Sequence, residues 1–435
     1  MVLGLARSGV GAIDLLRANG AKVTGVDNRE LADLVNVQNR VDNSNIFFSR
    51  QDDASLDGVD TLVVSPGIPL SHTVTQEAIR RGIPVIGEVE LAYLFLRGPV
   101  MAISGSNGKT TTTSLVGHIL DSAGVAAQVG GNIGFPATEM TGSSRFAQWN
   151  VLEISSFQLE TADRFHAEVA TVLNVTPNHL DRHGDLAAYL AAKGKIFRNQ
   201  RYSDWAVLNA TDKLSSAYRP TTPAQAALFN GDAARRIDDR IELFGTRLMQ
   251  VNDVQLPGRH NVENVMAAAV LCSLAGAPIE KIAEAVASFK GVKHRLEFVR
   301  EVNGVRFYND SKATSVDAAV KALEAIDGPL WVILGGLDKG GSYSPLSKLL
   351  SSKAKAALLI GAAADIIETQ LRGVLPIERS GDLTTAFASA VRQAQPGDTV
   401  LLAPSCASYD QFQSYEDRGD TFRRLVEKLE VSNGA

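Results

Sequence analysis

The sequence predicts an α/β protein of about three domains, and three observations carry that expectation. The chain has 435 residues, and domains run to roughly 150 residues each. Apolar strand-like runs alternate with helical patterns from end to end, the order that produces parallel sheets joined by crossover helices. Several of those runs end in clusters of glycine, asparagine, serine and charged residues, and the carboxyl ends of parallel strands are where such sheets bind ligands. Hydrophobic residues make up 45% and charged residues 21%, which excludes a disordered, collagen-like or disulfide-dense chain.

The net charge of −5 leaves no basic surplus for nucleic acid. No apolar run approaches the ~20 residues that cross a bilayer. The nearest, AAAVLCSLAGA from Ala267 to Ala277, reads as a buried core helix. Cys272 and Cys406 cannot build a disulfide framework and lack metal-ligand spacing, so each reads as a small buried residue. Met1 is followed at once by a strand-like VLGLA, without the charged and apolar regions of a signal peptide. The expectation is a cytoplasmic enzyme that engages neither membrane nor nucleic acid.

The first strand runs into Gly4-Leu5-Ala6-Arg7-Ser8-Gly9, which opens the helical GVGAIDLLRANG. About twenty residues on, KVTGVD ends a second strand at Asp27, where a carboxylate could hold a ribose hydroxyl. A nicotinamide-dependent dehydrogenase would show this pattern too. However, Ala6 replaces the second glycine, and a generic nucleotide fold is an equal reading. TLVVSP leads to Ser65-Pro66-Gly67-Ile68-Pro69, a ligand-facing edge or a plain strand-ending turn. A helix opening near Glu88 stops at Leu96-Arg97-Gly98-Pro99, which reads as a domain boundary.

The strongest local signal follows: Gly105-Ser106-Asn107-Gly108-Lys109-Thr110-Thr111, between a buried strand and the helical TTSLVGHIL. Glycines let the backbone wrap a phosphate, and amides plus a helix N-terminus supply positive potential. Lys109 can neutralise β/γ-phosphate charge and Thr110 can put a hydroxyl on Mg²⁺. A strict Walker spacing would need glycine at Ile103, yet the strand–loop–helix context favours ATP. Glu153 lies in the apolar strand VLEI, where a carboxylate is costly unless paired or bound to metal. VATVLNV then ends in Asn174-Val175-Thr176-Pro177-Asn178-His179, followed by Leu180-Asp181-Arg182-His183. Lys193 and Lys195, in AAKGKIF, read singly as solvated helix lysines.

Less regular β-like stretches run from Ala226 to Gln255, and a second boundary falls near His294–Glu297. The expected domains are thus residues 1–96, 97–296 and 297–435. In the last, three strands end in polar clusters: Asn309–Thr314, Gly335–Gly341 and Pro404–Phe412. One such loop is ordinary; three in one domain suggest a ligand-binding rim.

Taken in order, GSNGKTT, GGNIG, EISSFQLE, NVTPNHLDRH, AAK, GRHNVEN, HR, NDSKAT, LGGLDKG and APSCASYDQF resemble the Mur ligase family, ATP-dependent enzymes that build the peptidoglycan stem peptide. Within it, GLARSG, NDSKAT and SCASYDQF are similar to the D-glutamate-adding members. The resemblance implies an N-terminal Rossmann-like domain for a UDP-linked substrate, a central P-loop ATPase-like domain and a C-terminal Rossmann-like domain for the amino acid. It implies ATP, two Mg²⁺ ions, a carbamylated Lys193, and the substrates UDP-N-acetylmuramoyl-L-alanine and D-glutamate, in a monomer closing by hinges near residues 97 and 296. Catalysis would fall to Lys109, Glu153, His179 and Lys193, with Thr110, Glu153, His179 and carbamylated Lys193 around the metal. ATP would be held by Gly105 to Thr111, Asn261, Asn264, Arg295 and Asp310. The nucleotide substrate would meet Arg7, Ser8, Asp27, Asn28, Arg29, Ser65, Gly67, Asn132 and Ser155. D-glutamate would meet Lys312, Thr314, Lys339, Ser408 and Tyr415.

Overall fold

The computed structural model describes residues 1–34, 37, 41, 46–177, 180–256, 258–338, 340 and 342–430. Among them the predicted alternation resolves into three sheets. In the first, strands β1 (Val2–Leu3), β2 (Val23–Asp27), β3 (Ile46–Arg50), β4 (Leu62–Val64) and β5 (Val85–Gly87) are parallel in the order β3-β2-β1-β4-β5. Strand order reverses at β1, so the loops after β1 and β4 flank the crevice where this kind of sheet takes a ligand.

The second sheet holds β6 (Val100–Ser104), β7 (Ala127–Gly131), β8 (Trp149–Glu153), β9 (Val169–Val172), β10 (Trp205–Asn209), β11 (Gln225–Phe229), β12 (Ala234–Ile237), β13 (Arg240–Leu243) and β14 (Thr246–Gln250). Its order is β14-β13-β12-β11-β10-β9-β6-β8-β7. Strand β6, buried at every position, lies between β8 and β9 and is parallel to both. The third sheet runs β15-β16-β20-β17-β18-β19. Its strands are β15 (Glu297–Val302), β16 (Val305–Asn309), β17 (Leu330–Gly335), β18 (Ala354–Ile360), β19 (Ile377–Gly381) and β20 (Thr399–Leu402). Strands β16, β20 and β17 are successive neighbours, so the three polar strand ends share one edge.

The sheets are not purely parallel. Strands β12, β13 and β14 form an antiparallel meander, and β15 pairs antiparallel with β16. Two-residue loops explain both departures, because a parallel crossover needs a dozen residues or more. Phe244-Gly245 and Asn303-Gly304 each take positive φ at both positions, the conformation that closes a tight hairpin.

Contacts divide the chain into two compact units. One comprises Met1–Asp253 with Val262–Ser288 and holds the first two sheets; the other comprises Val254–Asn261 with Phe289–Ala435 and holds the third. Val265 to Cys272 are wholly or almost wholly buried, as expected of the small apolar run, and Cys406 is buried too. No helix among the described residues is long and apolar enough to cross a membrane.

The corner near residue 97 is held by several hydrogen bonds. Arg97 O accepts from Ser144 Oγ and from Asn150 Nδ2, both at 2.6 Å, and Arg97 N donates back to Ser144 Oγ at 2.9 Å. Val100 N donates to Glu168 Oε2 at 2.7 Å. Gly98 has φ +77°, and a Cβ there would overlap the carbonyl oxygens of Arg145 and Gln148.

Candidate active site

Three parallel strands deliver their carboxyl ends to one place. Ile103 of β6 is in register with Glu153 of β8, and Ser104 with Val172 of β9. From β6 the chain turns through Gly105 (φ +147°) and Gly108 (φ +83°) into the helix Lys109–Ser122, with Gly108 as a left-handed N-cap. The loop is stitched to the segment after β9. Ser106 N donates to Asn174 O at 2.9 Å, Asn107 N to Asn174 Oδ1 at 2.9 Å, and Thr176 N to Ser106 Oγ at 2.9 Å. Asn264, assigned from the resemblance to ATP, packs its side-chain amide against Gly108 so closely that a Cβ there would overlap it.

Lys109 Nζ donates to Gly105 O at 2.8 Å and to Ser106 O at 3.1 Å. Lys193 Nζ donates to the same Gly105 O at 3.0 Å. Read singly as a solvated lysine, Lys193 is in fact 1% exposed. Its helix, Leu186–Gly194, starts on an Asp185 cap and turns Tyr189, Ala192 and Lys193 inward, the spacing of one helical face. Burial, then the neighbouring Lys109 charge, push the Lys193 pKa well below the ordinary lysine value. Lys195 points elsewhere, donating to Glu160 O at 2.5 Å, and it too is partly withdrawn from water.

Glu153 is 2% exposed. Its Oε1 accepts from Asn132 Nδ2 at 2.9 Å, whereas its buried Oε2 accepts no hydrogen bond from the described residues. An uncompensated buried carboxylate oxygen is costly. A divalent cation beside the phosphate loop would satisfy it, and Mg²⁺ prefers such oxygen donors. Thr110 is buried in the first turn of the adjoining helix. No group of three or more His, Cys, Asp or Glu arranged for a metal occurs among the described residues, and His179 lies outside them.

Beside this centre is a cavity of about 520 Å³ lined by Arg7, Ser8, Asp27, Asn28, Arg29, Ser65, Gly67 and Asn132, eight of the residues expected to meet a nucleotide substrate. Ser8 Oγ lies 3.2 Å from Ser65 Oγ, joining the loops after β1 and β4. Asn132 N also donates to Glu153 O at 2.8 Å, so the cavity and the carboxylate share a residue. Ser155 does not line the cavity. It caps the helix Ser156–Leu159 in a reciprocal pair with Gln158.

Asp27, expected as a ribose acceptor, lines the cavity but is hydrogen-bonded within its own surroundings. Its Oδ2 accepts from Leu5 N at 2.7 Å and Arg29 Nη2 at 3.0 Å, and its Oδ1 from Arg29 N at 3.1 Å and Nε at 2.9 Å. Those four bonds fill a carboxylate's acceptor positions. Burial alone would raise its pKa, but the Arg29 and Leu5 hydrogen bonds outweigh it and hold the group at about 2, below the ordinary 3.8. Stability from this brace is therefore present above about pH 4 and lost as pH falls through 2. Asp27→Asn is expected to lower stability by about 2 kcal/mol at neutral pH and to flatten the acid limb of a melting-temperature profile between those values. An unchanged acid limb would show that the brace contributes nothing.

In the second unit, Asp310 is buried beyond the end of β16, its N donating to Leu402 O at 2.8 Å. Burial pushes its pKa up to about 6 against the pull of Arg295, the Leu296 amide and Lys312. Lys312 Nζ lies 5.8 Å from the centre of the Tyr415 ring, and Thr314 N donates to Lys312 O at 2.8 Å. Ser408 is buried in the loop after β20; Asn261 is also buried, and Lys339 lies outside the described residues. Sequence reasoning missed Arg418, which is wholly buried. Its Nε donates to Ser311 Oγ at 3.0 Å, and its Nη2 to Ser311 O at 3.0 Å and Cys406 O at 3.1 Å. Arg418 thus ties the loops after β16 and β20 together. Sequence reasoning gave no individual role to Arg182 and Glu160, which meet at 2.7 Å beside the loop after β4.

Family models match this architecture in order. Mur ligase MurD-like, N-terminal domain, covers residues 1–87. Mur ligase middle domain covers 103–272, and Mur ligase, glutamate ligase domain, covers 294–406. The chain is 51% identical to UDP-N-acetylmuramoylalanine--D-glutamate ligase of Solibacter usitatus, over 99% of this chain and 98% of that protein. It is 46% identical to the ligase of the same name from Koribacter versatilis, over 99% and 97%. Among solved structures, UDP-N-acetylmuramate-alanine ligase from Thermotoga maritima shares the fold at a TM-score of 0.60 and 18% identity, over 98% of each chain. A pseudomurein peptide ligase type C from Methanothermus fervidus does so at 0.60 and 18%, over 99% of each. Identity on this scale along the whole length, with the phosphate loop and the buried carboxylate at adjacent strand ends, makes the chain a member of the Mur ligase family.

Proposed function

We propose that this protein is an ATP-dependent ligase that adds D-glutamate to UDP-N-acetylmuramoyl-L-alanine in peptidoglycan precursor synthesis. The observation that carries the reading is the 51% identity, along nearly the entire chain, to a protein named for that reaction. The geometry supports it, with a phosphate loop, a buried carboxylate missing a partner and a nucleotide-sized cavity joined through Asn132.

In this reading the substrate carboxylate attacks the γ-phosphorus of ATP, ADP leaves, and an acyl phosphate results. The amine of D-glutamate then attacks the acyl carbon, and the tetrahedral intermediate expels inorganic phosphate as the nitrogen loses its proton. Lys109 spreads charge from the transferred phosphoryl group, and the loop amides orient it. Glu153, Thr110, His179 and a carbamylated Lys193 would hold two Mg²⁺ ions, which neutralise phosphate charge when bound. Asn261, Asn264, Arg295 and Asp310 serve the base, ribose and phosphate end of ATP. The cavity residues and Ser155 serve the UDP-linked substrate, and Lys312, Thr314, Lys339, Ser408 and Tyr415 the amino acid. Domains 1–96, 97–296 and 297–435 divide this work in a monomer acting in the cytoplasm.

The test is phosphate release from ATP with the nucleotide substrate and a panel of amino acids. Release that needs both the nucleotide and D-glutamate is expected; NAD(P)H turnover, or release indifferent to the amino acid, would overturn the reading. Ser408→Ala is expected to raise the Michaelis constant for D-glutamate about tenfold, with that for ATP nearly unchanged. If the ATP constant rises instead, the assignment of the loop after β20 is wrong.

A further inference from the structure

We propose that Arg182 is a positioning residue that couples seating of the UDP-linked substrate to Glu160 and His183, beyond the strand that ends in Glu153. The inference rests on the function proposed above and adds a residue to which that reading gives no role.

The guanidinium reaches two places far apart in sequence. On one side its Nη2 donates to Ile68 O at 2.9 Å and its Nη1 to Gly67 O at 3.4 Å. These carbonyls belong to the loop after β4, which lines the nucleotide cavity and is closed by Ile68 N donating to Ser65 O at 3.0 Å. On the other side Nη2 donates to Glu160 Oε2 at 2.7 Å, and the guanidinium carbon stands 4.9 Å from the centre of the Phe157 ring. Glu160 Oε1 in turn lies 3.3 Å from His183 Nδ1, and His183 Nε2 lies 3.0 Å from Ser156 Oγ. The His183 ring stacks on the same Phe157.

Arg182 and Glu160 are only 15% and 13% exposed at their side chains, so water screens the pair weakly. One planar fork therefore ties the cavity rim to Phe157 and Glu160, which follow the strand that ends in Glu153. A lysine could keep the charge but not the fork, since its ammonium is a single point of donation. Bonds to main-chain carbonyls fix where the loop sits whatever side chains it carries. Seating a ligand against Ser65 and Gly67 thus bears on Glu160, and through it on His183, by direct contacts.

The experiment compares wild type, Arg182→Gln and Arg182→Lys by steady-state kinetics. Calorimetric titration with UDP-N-acetylmuramoyl-L-alanine alone is run alongside, because it needs no turnover. Arg182→Gln is expected to raise the Michaelis constant for the nucleotide substrate about tenfold and lower kcat several-fold. The ATP constant should stay within about twofold, added guanidinium should restore part of the loss, and Arg182→Lys should recover little. Unchanged kinetics, a parallel rise in both Michaelis constants, or a lower melting temperature alone would overturn the proposal. If Arg182→Gln does not fold, Glu160→Gln removes one end of the bridge. Weaker nucleotide binding in that variant supports the coupling, and unchanged binding sinks it. Wild type that binds the nucleotide yet needs no D-glutamate would defeat the proposed function, and the titrations would still judge Arg182.

Discussion

Lys109→Ala is expected to lower D-glutamate-dependent phosphate release by at least about a hundredfold while the protein stays folded. Removing one group that stabilises developing charge typically has an effect of that size. The side chain grows from the first residue of a helix capped by Gly108 and lies over the loop carbonyls of Gly105 and Ser106 rather than in a core. Its loss therefore removes charge where phosphate would sit without opening an apolar cavity. Phosphate-release kinetics and a melting curve measured together check this. Near-normal turnover would show that the glycine loop is not the phosphate site.

The second large effect is expected at Lys193. Lysine held out of water and beside a second cation is biased to the neutral amine. A neutral amine can add CO₂, losing a proton to become a carbamate, an oxygen ligand of the kind Mg²⁺ prefers. Lys193→Ala is expected to reduce activity about a hundredfold or more, with partial rescue by acetate or another short carboxylate. Lys195→Ala is the contrast, since its ammonium faces Glu160 O and not the phosphate loop. Full activity of Lys193→Ala without any additive would sink the carbamate.

Much of this was legible in the sequence because strands and their ends obey strong local rules. The apolar runs around Val100, Val151 and Val169 became β6, β8 and β9, and the polar residues after them met at one edge because the strands are parallel neighbours. Glu153 stood out because a carboxylate in an apolar strand demands a partner. Lys193 did not, although Tyr189, Ala192, Lys193 and Ile196 trace a helical face; a long charged side chain on that face reads as solvated until the burial of its neighbours is known. Asp27 was expected at a nucleotide site and lines the cavity, but its saturation by Arg29 depends on a loop conformation that motif spacing does not encode. Arg182 was given no role of its own, and Arg418 was passed over, for a related reason. Their partners are mostly main-chain carbonyls, which leave no imprint on residue identity.

The corner at Arg97–Val100 bears on how family members can be recombined. A chimera exchanging the first sheet would join its donors where Ser144 and Asn150 hold the Arg97 carbonyl. Any residue can supply that carbonyl, so the seam is indifferent to side chains at position 97. It is strict at 98, where only glycine avoids the carbonyls of Arg145 and Gln148. Grafts that keep glycine there, with Ser144 and Asn150 opposite, inherit the angle at which the chain enters its second sheet. Grafts that lose Ser144 or Asn150 leave buried hydrogen-bonding groups unmatched, at about 1–3 kcal/mol each, and grafts that lose the glycine drive a side chain into the carbonyls of Arg145 and Gln148.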